Sequence, residues 1–377
     1  MERPKFAPFR PTKRLLLGPG PSDVPRRVLD AMAGHTLGHL DPDFQAMMEE
    51  LKTLLRYAFQ TRNEMTMPVS GPGSAGMEMC FVNLVEPGDT VIICRNGVFG
   101  RRMVENVTRL GARPVVVDDR WGNPVDPDKV EEAFRQHPEA KTLAFVHAET
   151  STGVQSDAES LARIAREHGA LTIVDAVTSL AGTQLLTDLW GLDAVYAGSQ
   201  KCLSCAPGLS PITFSAAAVE RARVRRAPAP SWFLDLNLVL GYWGKAGART
   251  YHHTAPVNAL YGLHEALVML SEEGLENSWA RHRANHERLK AGLERLGLSL
   301  FVAEPYRLPQ LNAVTLPAGV DDDAARRRLL DEFGIEIGAG LGELAGRIWR
   351  IGLMGHSSRP ENVDACLAAL AAVIRES

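Results

Sequence analysis

Three short stretches carry residue types that could do chemistry. In "VYAGSQKCLSCAPG" (195–208) an apolar run delivers Lys201 among small residues, including Gly198, Ser199, Ala206 and Gly208. A lysine amine with an ordinary pKa of about 10.4 is protonated at neutral pH and attacks poorly. Desolvation or a nearby cation lowers that pKa and permits Schiff-base formation. The small neighbours leave room for a ring beside it. Taken singly, a lysine snorkelling from a strand end fits as well. In "TIVDAVTSL" (172–180) Asp175 follows three apolar residues. An unpaired carboxylate there is costly, so it calls for a cation or strong donors. A protonated pyridine N–H would serve; a loop cap is the plainer alternative. In "SGPGSAGME" (70–78) Gly71, Gly73 and Gly76 match G-x-G-x-x-G. That pattern suggests a dinucleotide. Yet the next strand pattern ends in Arg95 and Asn96, not in the acid that would hold an NAD ribose, and only Arg95 keeps an NADP reading open. Physically, a Gly-Ser turn opening a helix aims the amides of Ser74 and Ala75 at one phosphate. A tight turn with packing glycines is the alternative.

Together the three stretches describe one ligand. A phosphate cradle, a ring-nitrogen acid and an imine lysine, in the order 73, 175, 201, match pyridoxal 5'-phosphate. The elements that must position them are legible. Short runs rich in Val, Ile and Leu at 90–96, 112–119, 141–149, 170–176 and 193–199 read as buried strands. Helical patterns separate them, one at 157–168 with Asp157 as its N-cap. Such alternation predicts an α/β fold with a mostly parallel sheet and helices on both faces. Functional residues of these sheets gather at the carboxyl ends of strands, which marks Glu149, Asp175 and Lys201 together. A long helical pattern at 256–297 leads to strand patterns ("LSLFV", "NAVTL", "IEIGA", "RIWRIGL") and helices at 322–333 and 360–375. These form a smaller C-terminal α+β domain. The boundaries read as an N-terminal arm at 1–20, a large cofactor-binding domain at 21–260, and a connecting helix with the small domain at 261–377.

The 377 residues suffice for two domains, and 45% hydrophobic with 23% charged residues is ordinary for a globular protein. A formal charge of -4 gives no general pull toward nucleic acid or anionic membrane. Five cysteines, Cys80, Cys94, Cys202, Cys205 and Cys366, argue against a disulfide framework and suit a reducing compartment. Cys202 and Cys205 form one C-x-x-C with no second pair and no histidine at ligand spacing, so no metal is expected. The charged, proline-broken "MERPKFAPFRPTKR" has no apolar core of a secretory signal, no run is long enough to span a bilayer, and "AAVIRES" carries no peroxisomal tripeptide. A cytoplasmic protein is expected.

With these segments assembled, the chain resembles the class V aminotransferases of PLP fold type I, nearest the alanine–glyoxylate and serine–pyruvate (serine–glyoxylate) group. The resemblance runs through "LLLGPGPSDVPRRVL" (15–29), "LGHLDPDF" (37–44), "NGVFGRR" (96–102), "HAETSTGV" (147–154), "VDAVTSLAG" (174–182), "GSQKCL" (198–203), "YHHTAP" (251–256), "GIEIGAGLGELAG" (334–346) and "WRIGLMG" (349–355). It implies a seven-stranded sheet in the large domain. It implies that Lys201 holds the cofactor covalently and moves the proton, and that Asp175 pairs with the ring nitrogen. Phe99 stands where many relatives stack a Trp on the cofactor, and Val177 would pack on the opposite face. Gly73, Ser74, Ala75 and Gln200 would bind the phosphate, with Ser74 where some relatives have His. Thr150 would lie near the ring substituents. Tyr251 and Thr254 would reach the phosphate of a neighbouring subunit, making a homodimer with shared sites. Arg350 would clamp the substrate carboxylate bidentately, with Gly18 also at the substrate.

A single clamp suits L-alanine or L-serine with glyoxylate or pyruvate. A sister group that aminates glyoxylate from (S)-ureidoglycine shares "QKCLS" and "IWRIG". An amide pocket, with Gln in place of His39 and Asn in place of Tyr251, would be expected there. Cysteine desulfuration would need a mobile reactive thiol, whereas Cys366 falls at an apolar helical position and Cys202 and Cys205 read as packed. A non-catalytic NAD(P)-binding protein would leave Lys201 and Arg350 without a task.

Overall fold

The computed structural model describes residues 1–244 and 249–375. Seven strands form one sheet in the spatial order Met65–Ser70, Leu209–Phe214, Ala194–Tyr196, Leu171–Asp175, Thr142–Val146, Thr90–Arg95 and Arg113–Asp118. Leu209–Phe214 runs against both its neighbours, so the other six share one direction. All of Thr142–Val146 is buried, as a central parallel strand covered on both faces requires. The five strand patterns of the sequence appear within a few residues of their expected places, 141–149 as Thr142–Val146 and a separate Ala148–Glu149. Met65–Ser70 and Leu209–Phe214 are not among the strands expected from the sequence, and each holds a proline. In the sheet Pro211 lies opposite Pro68, so the two missing donors share one register position.

The helices follow from local chemistry. Asp157 caps Ala158–Glu167 by accepting from the Ser160 amide at 3.1 Å. Helix Gly73–Leu84 is buried on most of its surface, and it presses closely on the sheet. A side chain at Gly76 would overlap Ser210 and come within 3.1 Å of the Tyr196 β-carbon. The long pattern at 256–297 is two helices, Val257–Glu273 and Leu275–Arg295, broken at Gly274 with φ +85°.

Ile348–Gly352 is the middle strand of a second, antiparallel sheet, flanked by Leu311–Thr315 and Gly338–Ala339. Helices Asp322–Phe333 and Pro360–Arg375 stand where the sequence predicts them. Two expected strands differ. The segment 298–302 makes only an isolated bridge, Leu300 to Val314, before the chain turns into the 3-10 helix Glu304–Tyr306. The segment 335–339 splits, because Ile335–Glu336 pairs with Leu15–Leu16 while Gly338–Ala339 pairs with Ile348–Gly352. The main core takes in the sheet and Val257–Glu273, through Leu275. A second core starts at Leu289 and includes Trp349, Ile351, Val363 and Leu370. Residues 1–13 are exposed, whereas Leu17 joins the second core. From there the chain crosses toward Lys201.

Candidate active site

Asp175 closes its strand in register with Tyr196 on one neighbour and Val146 on the other. Its Oδ1 accepts from the Val177 amide at 2.9 Å and its Oδ2 from the Tyr196 hydroxyl at 2.8 Å. Both donors are neutral. Burial therefore pushes the carboxyl up to about 7, against these two bonds and with Glu149 adding to the rise. Lys201 follows the next strand, Ala194–Tyr196, in the loop. Its ammonium donates to the Pro19 carbonyl. Burial pushes it down to about 8; Cys202 opposes the fall, Arg350 adds to it and Asp175 opposes it. The chain passes the amine at Gly20, where φ is +103° and a β-carbon would collide with Nζ, so only glycine fits.

Arg350 stands on the middle strand of the second sheet, opposite Ala313 and Gly338. Period two sends Trp349 and Ile351 into the second core and Arg350 the other way. Its Nε donates to Ala339 O at 2.7 Å and its Nη1 to Thr150 O at 3.3 Å. The remaining N–H groups carry no hydrogen bond to the described residues. Burial lowers the guanidinium to about 10, with Glu149 opposing. Gly18 lies alongside: a side chain at Gly352 would run into its carbonyl.

Of the other expected residues, Val177 and Thr150 adjoin this centre, the first through its amide on Asp175 and the second through its carbonyl on Arg350. Gly73, Ser74 and Ala75 form the first turn of Gly73–Leu84. The Ala75 amide donates to Pro72 O at 2.7 Å, while those of Gly73 and Ser74 have no acceptor among the described residues. Val177 fills the space between Gly73 and Gly198, 3.1 and 3.3 Å from where their β-carbons would be. Gln200 Oε1 is buried without a partner among the described residues. Thr150 and Thr178 share a hydroxyl hydrogen bond at 2.6 Å. Phe99 is half-buried on the main core, 4.9 Å from the Arg102 guanidinium. Tyr251 and Thr254 differ from these. Both are exposed, with hydroxyls 3.4 Å apart, and neither touches the Lys201–Asp175 centre within one chain. Sequence reasoning missed the Pro19 carbonyl, Gly20 and Tyr196, which no local motif announces.

Cavities of about 750 and 800 Å³ lie elsewhere, one beside His147 and Trp190 and one beside Lys52 and Arg223. Neither includes Lys201, Asp175 or Arg350. Chemistry, not volume, marks the site.

The residues fit pyridoxal phosphate. A buried acid held only by neutral donors suits a cationic ring N–H, an amine of lowered pKa suits an aldehyde, and the Gly73 and Ser74 amides, with no acceptor among the described residues, suit a phosphate edge. Bound there, the cofactor supplies an electron sink for the α-carbon of an amino acid. With the cofactor there, Lys201 would take and return the proton, Asp175 would hold the ring nitrogen charged, and Arg350 would orient a carboxylate. The dinucleotide alternative loses its anchor, because Arg95 is engaged by Asp118 through two bonds of 2.5 Å. All five cysteines are buried, and burial pushes the thiols of Cys202, Cys205 and Cys366 up to about 12, far from a reactive thiolate. Among the described residues no group of three His, Cys, Asp or Glu could hold a metal, and no helix is long and apolar enough to cross a membrane.

Fold and centre define a pyridoxal-phosphate-dependent transaminase. The chain belongs to the family Aminotransferase class-V, which matches residues 14–354. It is similar to alanine–glyoxylate aminotransferase of Nostoc sp., whose crystal structure aligns with a TM-score of 0.96 at 48% identity over 98% of each chain. Alanine–glyoxylate aminotransferase of Callithrix jacchus is 41% identical over 95% of this chain and 86% of its own. The (S)-ureidoglycine–glyoxylate transaminase of Bacillus subtilis (strain 168) is 38% identical over 96% of this chain and 90% of its own.

Proposed function

We propose that this chain transfers the amino group of L-alanine or L-serine to glyoxylate or pyruvate, at a centre formed by Lys201, Asp175 and Arg350. The observation that carries the reading is the guanidinium of Arg350. Two backbone carbonyls tether it, its remaining N–H groups have no acceptor among the described residues, and its charge acts on Lys201. One such clamp takes one carboxylate, as small amino and 2-oxo acids present. Glutamate or aspartate would bring a second. The names of the relatives support alanine and glyoxylate as one such pair. The ureidoglycine reading is supported by its transaminase in Bacillus subtilis. Against it stands the pair His39–Tyr251, with rings 5.2 Å apart, where an amide pocket would be required.

The test is a visible spectrum of the loaded enzyme on addition of L-alanine, L-serine or (S)-ureidoglycine, then glyoxylate. The yellow band should fade with alanine or serine and return with glyoxylate. Fading with ureidoglycine alone would transfer the assignment to the sister reaction. Arg350→Ala should raise apparent KM for amino and oxo acids together, on the order of 30- to 100-fold, the loss of charge-assisted hydrogen bonds. Unchanged KM values would remove the clamp.

The exposed Tyr251 and Thr254 fit a homodimer in which they complete the partner's phosphate site, in a protein of the cytoplasm that needs no nucleic acid. Sedimentation should give about twice the 41.1 kDa chain mass. A monomer with full activity would refute the shared site.

A further inference from the structure

Glu149 ends the short strand Ala148–Glu149 and is fully buried. Its Oε1 accepts from the Ser151 amide at 3.1 Å and the Ser151 hydroxyl at 2.5 Å. Its Oε2 accepts from the Phe99 amide at 3.2 Å. The Ser151 hydroxyl oxygen in turn accepts from the Val98 amide at 3.0 Å. Those two amides open the helix Val98–Arg109, whose own N-cap residue, Gly97, supplies no side-chain bond. Gly97 has no β-carbon because the Glu149 carboxyl occupies that space. The carboxylate therefore caps the helix from a distant strand, at the end where the helix dipole favours negative charge. Burial pushes the Glu149 carboxyl up from its ordinary range, the bonds from Ser151 and Phe99 oppose that rise, both its oxygens act as acceptors, and its charge acts on Arg350.

Phe99 is the second residue of that helix. Its ring angle depends on where the first turn is held. We propose that Glu149 is a positioning residue, fixing through the Phe99 amide and the Ser151 bridge the aromatic ring that flanks the coenzyme. This assignment presupposes the coenzyme site proposed above, and the control below tests that site separately.

The experiment is a double-mutant cycle read as the dissociation constant of pyridoxal phosphate from coenzyme-free protein. The four forms are wild type, Glu149→Gln, Phe99→Ala and the double variant. Glutamine keeps the shape but turns an N–H₂ toward an N–H donor. Glu149→Gln should weaken binding roughly tenfold, and Phe99→Ala at least as much. With Phe99 already gone, the glutamine should cost no more than about twofold, since residues acting as one unit are not additive. A merely structural role would give the same factor in both backgrounds and overturns the proposal, as does unaltered binding in Glu149→Gln. If that variant does not fold, Ser151→Ala removes the hydroxyl that links the Val98 amide to Glu149, keeps the Ser151 and Phe99 amide bonds, and enters the same cycle with the same criterion. Wild-type protein that binds no coenzyme would instead refute the site itself.

Discussion

Lys201→Ala is expected to lower kcat by roughly 10⁴-fold or more, because in the proposed mechanism the amine would serve both as covalent anchor and as proton carrier. Single-turnover absorbance with alanine checks it, and residual turnover within about tenfold of wild type would remove Lys201 from the mechanism. The same amine leaves a thermodynamic trace in the coenzyme-free protein. Its pKa falls from 10.5 in the unfolded chain to about 8 in the fold. Between those values the unfolded chain holds more protons, so stability should rise as pH rises from about 8 to about 10.5. The full span is on the order of 3 kcal/mol, one pKa unit being about 1.4 kcal/mol. Urea unfolding at the two ends of this range should show the rise in wild type and lose most of it in Lys201→Ala. An equal slope in both would mean that the buried amine is not the titrating group.

How far the residues announced this arrangement depends on how local each cause is. Lys201 and Asp175 were legible because each follows an apolar strand, and a charge in that place demands a partner. Asp157 was legible as a cap because its bond to the Ser160 amide spans three residues. Tyr196 was read as one more apolar strand residue. Its hydroxyl matters only through the parallel register that sets it beside Asp175, and register is a property of two strands. The Pro19 carbonyl lies 182 residues from Lys201 and has no side-chain signature at all. Glu149 was visible as a strand-end acid, yet its use arises only when Val98–Arg109 arrives over it. The strands Met65–Ser70 and Leu209–Phe214 were not read from the sequence, and in the sheet their prolines, Pro68 and Pro211, face each other. Arg350 shows the converse case. It was placed by resemblance, and its backbone tethers to Ala339 and Thr150 give the physical reason a guanidinium can be held there with an edge free.

Asp175→Asn should cost about 10³-fold in kcat, the order seen when a preorganised charge is removed from a reacting centre. The amide keeps the size of the acid. It can still accept from one of the Val177 amide and the Tyr196 hydroxyl, so the fold should survive. What it cannot do is balance a positive ring nitrogen, and the sink weakens when that nitrogen loses its proton. Stability distinguishes this from a packing defect. The Asp175 carboxyl is raised from 3.8 to about 7 in the coenzyme-free fold. The native state therefore binds the extra proton between those values. The associated stabilisation is fully present below about 3.8 and is lost as pH rises through about 7, a span on the order of 4 kcal/mol. The coenzyme-free wild type should lose stability across this window, and Asp175→Asn should lack that slope. Binding the coenzyme brings a cation to the acid, so it should flatten the slope in wild type and change nothing comparable in the variant. A variant that keeps kcat within tenfold, or a wild-type slope that coenzyme leaves untouched, would mean that Asp175 does not face the ring nitrogen.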